Sequence, residues 1–174
     1  MSFEKAFNFV LLSSPDVRRF PANPQADRIY DIRKVDCPNW KGWKIFDKIP
    51  ENGDLNDLQR KDQLKLHNLV MNIYYRHWLN SKCNLLPFPL SLVLFDSGVV
   101  CHQCAAVWFL QNAYNYSVIE LTGRDGLLPV DGLFGPITYN AVRTVNQSEL
   151  IAWMLFLRGK YHHDLTRPYK TEDM

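Results

Sequence analysis

Residues 90–114 read LSLVLFDSGVVCHQCAAVWFLQNAY, a stretch in which Asp96 is the single charged residue. Two apolar runs, at 90–100 and 104–114, are longer than typical strands, and they predict two core helices. The polar residues around His102 separate the runs, so we expect the chain to break there. A buried helix pair of this kind indicates a helical core.

The segments on both sides of this pair continue the helical pattern. Residues 3–12 carry apolar side chains three and four positions apart, which indicates an amphipathic helix. A longer helix follows the turn at 50–53, with Asp54 or Asn56 as its N-cap. Its apolar stripe comprises Leu58, Leu64, Leu66, Leu69, Val70, Ile73, Tyr74 and Trp78. Residues 137–145 and 148–162 predict two further helices.

Little of the chain predicts β structure. Residues 13–27 hold three prolines and no helical period, so we expect an irregular surface loop. Residues 28–33 (RIYDIR) alternate apolar and polar side chains and favour a short strand, while 39–50 gives no clear prediction. The predicted class is therefore mainly α, with at most a short β element near residues 28–33.

Composition excludes several classes of protein. The 174 residues suit one compact domain or two closely packed lobes, and a hydrophobic fraction of 47% is ordinary for a globular protein. The 20 basic and 18 acidic residues balance too closely to indicate nucleic-acid binding. We find no apolar run long enough for a membrane span and no signal peptide, so we expect synthesis in the cytoplasm. No phosphate-binding loop or zinc-protease motif occurs, and we expect no cofactor.

The four cysteines, at 37, 83, 101 and 104, are too few and too irregularly spaced for a disulfide scaffold. Cys101 and Cys104, with His102 between them, are weak candidates for a metal or redox site on one helix face. A zinc site needs about four ligands, and a single CxxC pair supplies two. Buried thiols that pack as small apolar groups are the plainer interpretation.

Three separated stretches of the chain carry a resemblance to a known family. The segment DGLFGPITYNAV at 131–142 resembles a C-terminal signature of the glycoside hydrolase family 108 muramidases, and Phe95-Asp96, Leu110-Gln111 and Arg158 are similar to residues of that family's helices. The resemblance implies a lysozyme-like, two-lobed helical fold. It also implies a degenerate muramidase-like lobe at 1–93 and a peptidoglycan-binding-like lobe at 94–174.

The active-site loop of that family is altered in this chain. Laid without gaps on residues 14–32, the family pattern matches at Pro21, Ala22, Pro24, Tyr30 and Ile32. The position of the catalytic glutamate holds Ser14, and a serine hydroxyl cannot act as a general acid near neutral pH. The resemblance therefore implies a catalytically degenerate relative of phage or bacterial origin, in host cytoplasm or virion unless another route exports it.

Three functions remain open. We favour a binding module for a protein partner or for peptidoglycan, because arginines and an aromatic residue have entered the remodelled cleft. The residues expected to bind are Arg18, Arg19, Phe20, Arg28, Tyr30, Asp96, Asp131 and Thr138. A divergent active muramidase that uses Asp16 or Asp31 is the second hypothesis, and a metal-binding regulator at Cys101 and Cys104 is the third.

Overall fold

The computed structural model describes residues 2–13, 17–122 and 126–166 of the chain, without the side chains of residues 120–122 and 166. Within these ranges the fold consists of seven α-helices and one small antiparallel sheet. The prediction of a mainly α protein with a short β element is confirmed. No helix in the described ranges combines the length and apolar character needed to cross a bilayer. The chain divides into two compact units, Met1–Asn80 and Ser81–Met174.

The first unit is built on two long helices. Helix α1 (Ser2–Ser13) buries Ala6, Phe7 and Val10, and the Phe7 ring lies 5.6 Å from the ring of Tyr74 on α3 (Arg60–Asn80). This confirms the amphipathic helix predicted at 3–12. The short helix α2 (Trp43–Phe46) occupies the segment that the sequence left unassigned.

Helix α3 buries one residue per turn. Its buried side chains are those of Leu66, Val70, Tyr74 and Trp78. Leu64, which we assigned to the same stripe, is 52% exposed because residues two positions apart on a helix face different directions. The expected cap, Asp54, accepts from the backbone N–H of Asn56 across 2.6 Å. It caps the 3-10 turn Leu55–Asp57, which precedes the helix.

The sheet has three two-residue strands, β1 (Val17–Arg18), β2 (Arg28–Ile29) and β3 (Ile32–Arg33), in that order. The segment predicted as one strand is thus a tight hairpin that turns at Tyr30 and Asp31. Our expectation of an irregular loop at 13–27 was partly wrong, because β1 pairs Val17 with Ile29. A strand of two residues is too short to show an alternating pattern of apolar and polar side chains. Its position is therefore determined by the strand with which it pairs.

The second unit contains the predicted helix pair, α4 (Leu90–Cys101) and α5 (Gln103–Thr122). The break falls at His102, whose φ of 72° lies outside the helical region. The two helices predicted at 137–145 and 148–162 are also confirmed, as α6 (Pro136–Val142) and α7 (Gln147–Thr166). Helices α5 and α7 pack against each other, with the rings of Phe109 and Tyr161 5.6 Å apart.

Candidate functional site

The position that the resemblance assigns to the catalytic acid lies outside the described residues. Ser14, Pro15 and Asp16 fall between the end of α1 at Ser13 and the start of β1 at Val17. The predictions for Ser14 and for the fallback acid Asp16 therefore stay predictions. The groups that can be placed are those of the hairpin and of α3.

Arg19 is used inside the first unit. One of its guanidinium nitrogens, Nη2, donates to the backbone carbonyls of Phe46 and Ile49, each across 2.7 Å. The guanidinium carbon also lies 4.2 Å from the centre of the Phe46 ring. These contacts fix the loop after β1 to the C-terminal end of α2 and to Ile49 just beyond it. Arg19 thus has a positioning role in this geometry.

The other binding candidates of this segment surround the hairpin. Arg18 is exposed and pairs with Arg28 across the strands. The Arg28 guanidinium lies 5.6 Å from the centre of the Phe20 ring, within the range of a cation–π contact. The Phe20 backbone N–H donates to Oδ1 of the buried Asp27 across 2.9 Å. An arginine and an aromatic side chain therefore lie close together beside this hairpin, and the binding roles of these residues stay predictions.

A cleft of about 330 Å³ opens beside the hairpin turn. Its lining residues are Tyr30, Leu55, Asn56, Arg60, Gln63, Leu64, Leu66 and His67. The cleft combines one cation, two amides, a phenol and an imidazole with three leucines. Among these described lining residues there is no Asp or Glu.

Two of the polar residues that line the cleft make contacts within the first unit that hold its wall in place. The Gln63 side-chain nitrogen donates to the carbonyls of Leu55 and Leu58 at 3.1 and 3.0 Å. The His67 ring packs at 5.6 Å, edge to face, against Phe7 on α1. The 3-10 turn and α3 are thus held together, which gives the cleft a rigid side.

Asp31 lies next to this cleft, directly after Tyr30. Its backbone N–H donates to the Tyr74 hydroxyl oxygen across 3.4 Å. Burial and the nearby Asp31 charge both raise the pKa of Tyr74, so its phenol stays protonated at neutral pH. The Asp31 side chain is half-buried, and this makes Asp31 the described carboxylate to test as a relocated acid.

Asp131 and Thr138 are held by one buried side chain in the second unit. The Gln111 amide nitrogen lies 2.7 Å from Asp131 Oδ1, 3.1 Å from the Leu133 carbonyl and 3.2 Å from Thr138 Oγ1. Its amide oxygen accepts from the Gly132 backbone N–H across 2.9 Å. The bonds from Gln111 and Leu133 lower the pKa of Asp131. The first part of the sequence signature, residues 131–135, thus forms a turn that Gln111 holds in place before α6.

Gly132 is the residue that this turn requires. Its φ of 72° is left-handed, and a Cβ there would lie 3.0 Å from the Cys104 carbonyl oxygen on α5. Only a glycine combines this conformation with so close an approach.

Asp96 forms a second internal contact in the same unit. Its carboxylate pairs with the Arg158 guanidinium of α7, and the side chains are 15% and 21% exposed. A partly buried pair of this kind joins α4 to α7. A binding role for Asp96 stays a prediction, whereas the contact that the structure shows, with Arg158, holds two helices together.

The two cysteines of the CHQC run do not share a helix. Cys101 ends α4 and is buried, whereas Cys104 lies in α5 and is exposed, because the chain breaks at His102. Cys101 Sγ lies 3.2 Å from His162 Nε2. Burial raises the pKa of Cys101, so its sulfur stays protonated at neutral pH. In the described part of the chain no three His, Cys, Asp or Glu side chains cluster in a way that could hold a metal ion.

We did not predict from the sequence that one face of α3 forms a wall of this cleft. Arg60, Gln63, Leu64 and His67 follow one another at helical spacings of three and four, as one face of a helix does. That spacing was a usable signal, but the stronger apolar stripe on the neighbouring face of α3 obscured it.

Comparison with known proteins shows the fold. No family model matches the chain, and no curated protein matches it significantly. Among solved structures, the chain is similar to SagA of Brucella abortus, with 17% identity and a TM-score of 0.63 over 95% of this chain and 82% of that chain. At this identity the likeness establishes a shared fold over nearly the whole chain.

Proposed function

We propose that this protein is a muramidase-like fold that binds its target without cleaving it. The target is peptidoglycan or a protein partner that has replaced it, in a phage or bacterial setting. The observation that carries the proposal is the cleft beside Tyr30, whose described lining offers donors and apolar contacts but no carboxylate.

The chemistry of glycoside hydrolysis supports this proposal. One carboxylic acid normally protonates the leaving oxygen, and a second carboxylate acts as nucleophile or activates water. The resemblance places Ser14 where the first acid belongs. Loss of a general acid costs about 100- to 10,000-fold in rate. The likeness to SagA supports the fold on which this interpretation depends.

The cleft suits recognition of a polar, anionic chain. Arg60 supplies a permanent positive charge, Asn56 adds an amide, and Leu64 offers apolar surface with 52% exposure. Such a mixture is typical of binding sites, in which a few polar groups orient a ligand and apolar groups contribute affinity. Both a peptide with a carboxylate and a peptidoglycan strand have matching chemistry.

A divergent active muramidase is the alternative, and one observation favours it. Asp31 directly follows Tyr30, which lines the cleft, and the Asp31 side chain is half-buried. This alternative requires that Asp16→Asn or Asp31→Asn abolish a measurable release of reducing ends.

The binding proposal is tested with a matched pair of variants. Purified protein is sedimented with bacterial sacculi, and Arg60→Ala is compared with Lys61→Ala, an exposed cation next to it that does not line the cleft. We expect Arg60→Ala to weaken pelleting about fivefold or more and Lys61→Ala to leave it unchanged.

If the wild-type protein stays in the supernatant, it does not bind sacculi, and the next experiment looks for a protein partner. The same two variants are then used as baits against bacterial lysate, and Arg60→Ala should lose a partner that Lys61→Ala retains. If neither sacculi nor any protein is bound in an Arg60-dependent manner, the proposed role of this cleft is wrong.

A further inference from the structure

One face of α7 is exposed although it carries large apolar side chains. Glu149, Trp153, Phe156 and Lys160 follow at intervals of four, three and four residues, so they form one narrow stripe. Phe156 is 60% exposed, and Glu149 and Lys160 are exposed as well. A stripe with aromatic residues in its middle and opposite charges at its ends is an unusual solvent-facing surface.

The neighbouring helix widens the aromatic part of this stripe. The Tyr116 ring of α5 stacks on Trp153 with 4.9 Å between centroids, and Trp153 contacts Phe156 edge to face at 5.9 Å. Tyr116 is 47% exposed. The three rings therefore form a continuous ridge. Stacked rings of this type are held rigid, so they lose little conformational freedom when they bind.

The order of the stripe residues is self-complementary. Glu149 and Lys160 are equally distant in sequence from the point between Met154 and Leu155, and so are Trp153 and Phe156. If a second α7 lies antiparallel on this stripe, each Glu149 faces a Lys160 and each Trp153 faces a Phe156. A two-fold axis repeats both pairs, which is the property of an isologous interface.

The charges at the stripe ends are available for such pairing. Within the described part of the chain, neither Glu149 nor Lys160 forms an ion pair. Two-fold pairing would neutralise four charges and cover the aromatic ridge of both copies.

We propose that α7 mediates an antiparallel, two-fold dimer of this chain through Glu149, Trp153, Phe156 and Lys160. The occupant of the stripe is a second copy, because the charge order complements itself. One helix stripe buries less area than stable interfaces require, so the dimer is a weak one. This assembly is independent of the proposed function at the cleft in the first unit.

Sedimentation equilibrium between about 5 and 500 µM tests the dimer, a range chosen for weak association. Glu149→Lys or Lys160→Glu alone places like charges at both ends of the stripe. We expect either variant to raise the dimer dissociation constant about tenfold at low salt. The double variant restores opposite charges and should return to within about threefold of wild type.

A mixture of the two single variants gives a sharper result. Each variant alone should dimerise about tenfold more weakly than wild type, whereas the mixture should form a heterodimer, because one copy then carries two lysines and the other two glutamates. Phe156→Ala should weaken the dimer, and Leu155→Ala serves as its control, since Leu155 is 49% exposed on a different face of α7.

Three results would overturn this inference. A wild-type chain that stays monomeric over the whole range excludes the dimer. A dimer that tolerates Glu149→Lys forms through another surface. If the mixed single variants show no heterodimer, the antiparallel register is wrong and the ridge serves another ligand.

Discussion

The Gln111 side-chain amide joins α5 to the turn before α6, with its nitrogen 2.7 Å from Asp131 Oδ1 and its oxygen 2.9 Å from the Gly132 backbone nitrogen. Gln111 is only 1% exposed. Removal of this side chain takes the partner from the buried Gly132 N–H and one bond each from Asp131, the Leu133 carbonyl and Thr138. The turn at 131–135 keeps its internal bond from the Leu133 N–H to Asp131, but Gln111 ties it to α5.

We predict that Gln111→Ala lowers the free energy of unfolding by about 2–4 kcal/mol, since each buried polar group that loses its partner costs about 1–3 kcal/mol. Urea denaturation followed by circular dichroism measures this loss. Asn112→Ala is the control, because the Asn112 side chain donates to the carbonyl of Trp108 one turn back on the exposed side of α5. Equal losses in the two variants would contradict the account of this turn.

We predict that the coupling energy of the Asp96–Arg158 pair, measured by a double-mutant cycle, is larger than that of an exposed pair. Asp96→Asn and Arg158→Gln remove a pair whose side chains are 15% and 21% exposed. We expect a coupling energy of about 1–3 kcal/mol. The control cycle uses Lys48 and Asp62, whose 2.7 Å pair has a lysine that is 55% exposed, and it should give about 0.2–1 kcal/mol. Equal coupling in the two cycles would show that the first pair is also screened by water.

The cysteines should react in an order set by exposure and pKa. Cys104 is exposed, whereas burial raises the pKa of Cys83 to about 12. Only the thiolate reacts with iodoacetamide, so Cys104 should be alkylated first and Cys83 last at pH 8. Mass spectrometry of timed samples gives the order. Labelling in urea should remove the difference, and early modification of Cys83 in the folded protein would contradict its placement.

We predict that the protein loses stability in mild acid because His77 is buried. Burial lowers the pKa of His77, while in the unfolded chain this pKa is about 6.5. The unfolded state therefore binds an extra proton below about pH 6.5, and the free energy of unfolding should fall as pH decreases from 7 to 5. We expect His77→Gln to flatten this dependence. His163→Gln, at an exposed position, should not change it.

The helical part of the fold could be predicted because each helix has a sequence pattern that extends over many residues. The pair at 90–114 combines two apolar runs with a polar break, and the chain leaves helical geometry at His102 as expected. The hairpin was only partly predicted, since β1 has two residues and no pattern of its own. Its position depends on Ile29, the residue with which Val17 pairs.

The candidate site was harder to predict than the fold. The sequence indicated arginines near residue 20, and Arg28 does lie near the Phe20 ring. It could not show that Arg19 turns inward to the carbonyls of Phe46 and Ile49, because those partners lie 27 and 30 residues away. The cleft wall on α3 was missed because the apolar stripe on the neighbouring face of that helix gave the stronger signal, and its pairing with the hairpin could not be read from the sequence. Tyr30 and Arg60 meet only through the fold of the unit.

The release of reducing ends from bacterial sacculi tests the central claim most directly. Wild-type protein is incubated between about pH 4 and 9, a range that covers the titration of any shifted carboxyl, beside an active muramidase as positive control. We predict no release by the wild type above buffer, with or without pelleting. Release that Asp16→Asn or Asp31→Asn abolishes, but Asp36→Asn does not, would show that the chain is an active hydrolase and would contradict the account.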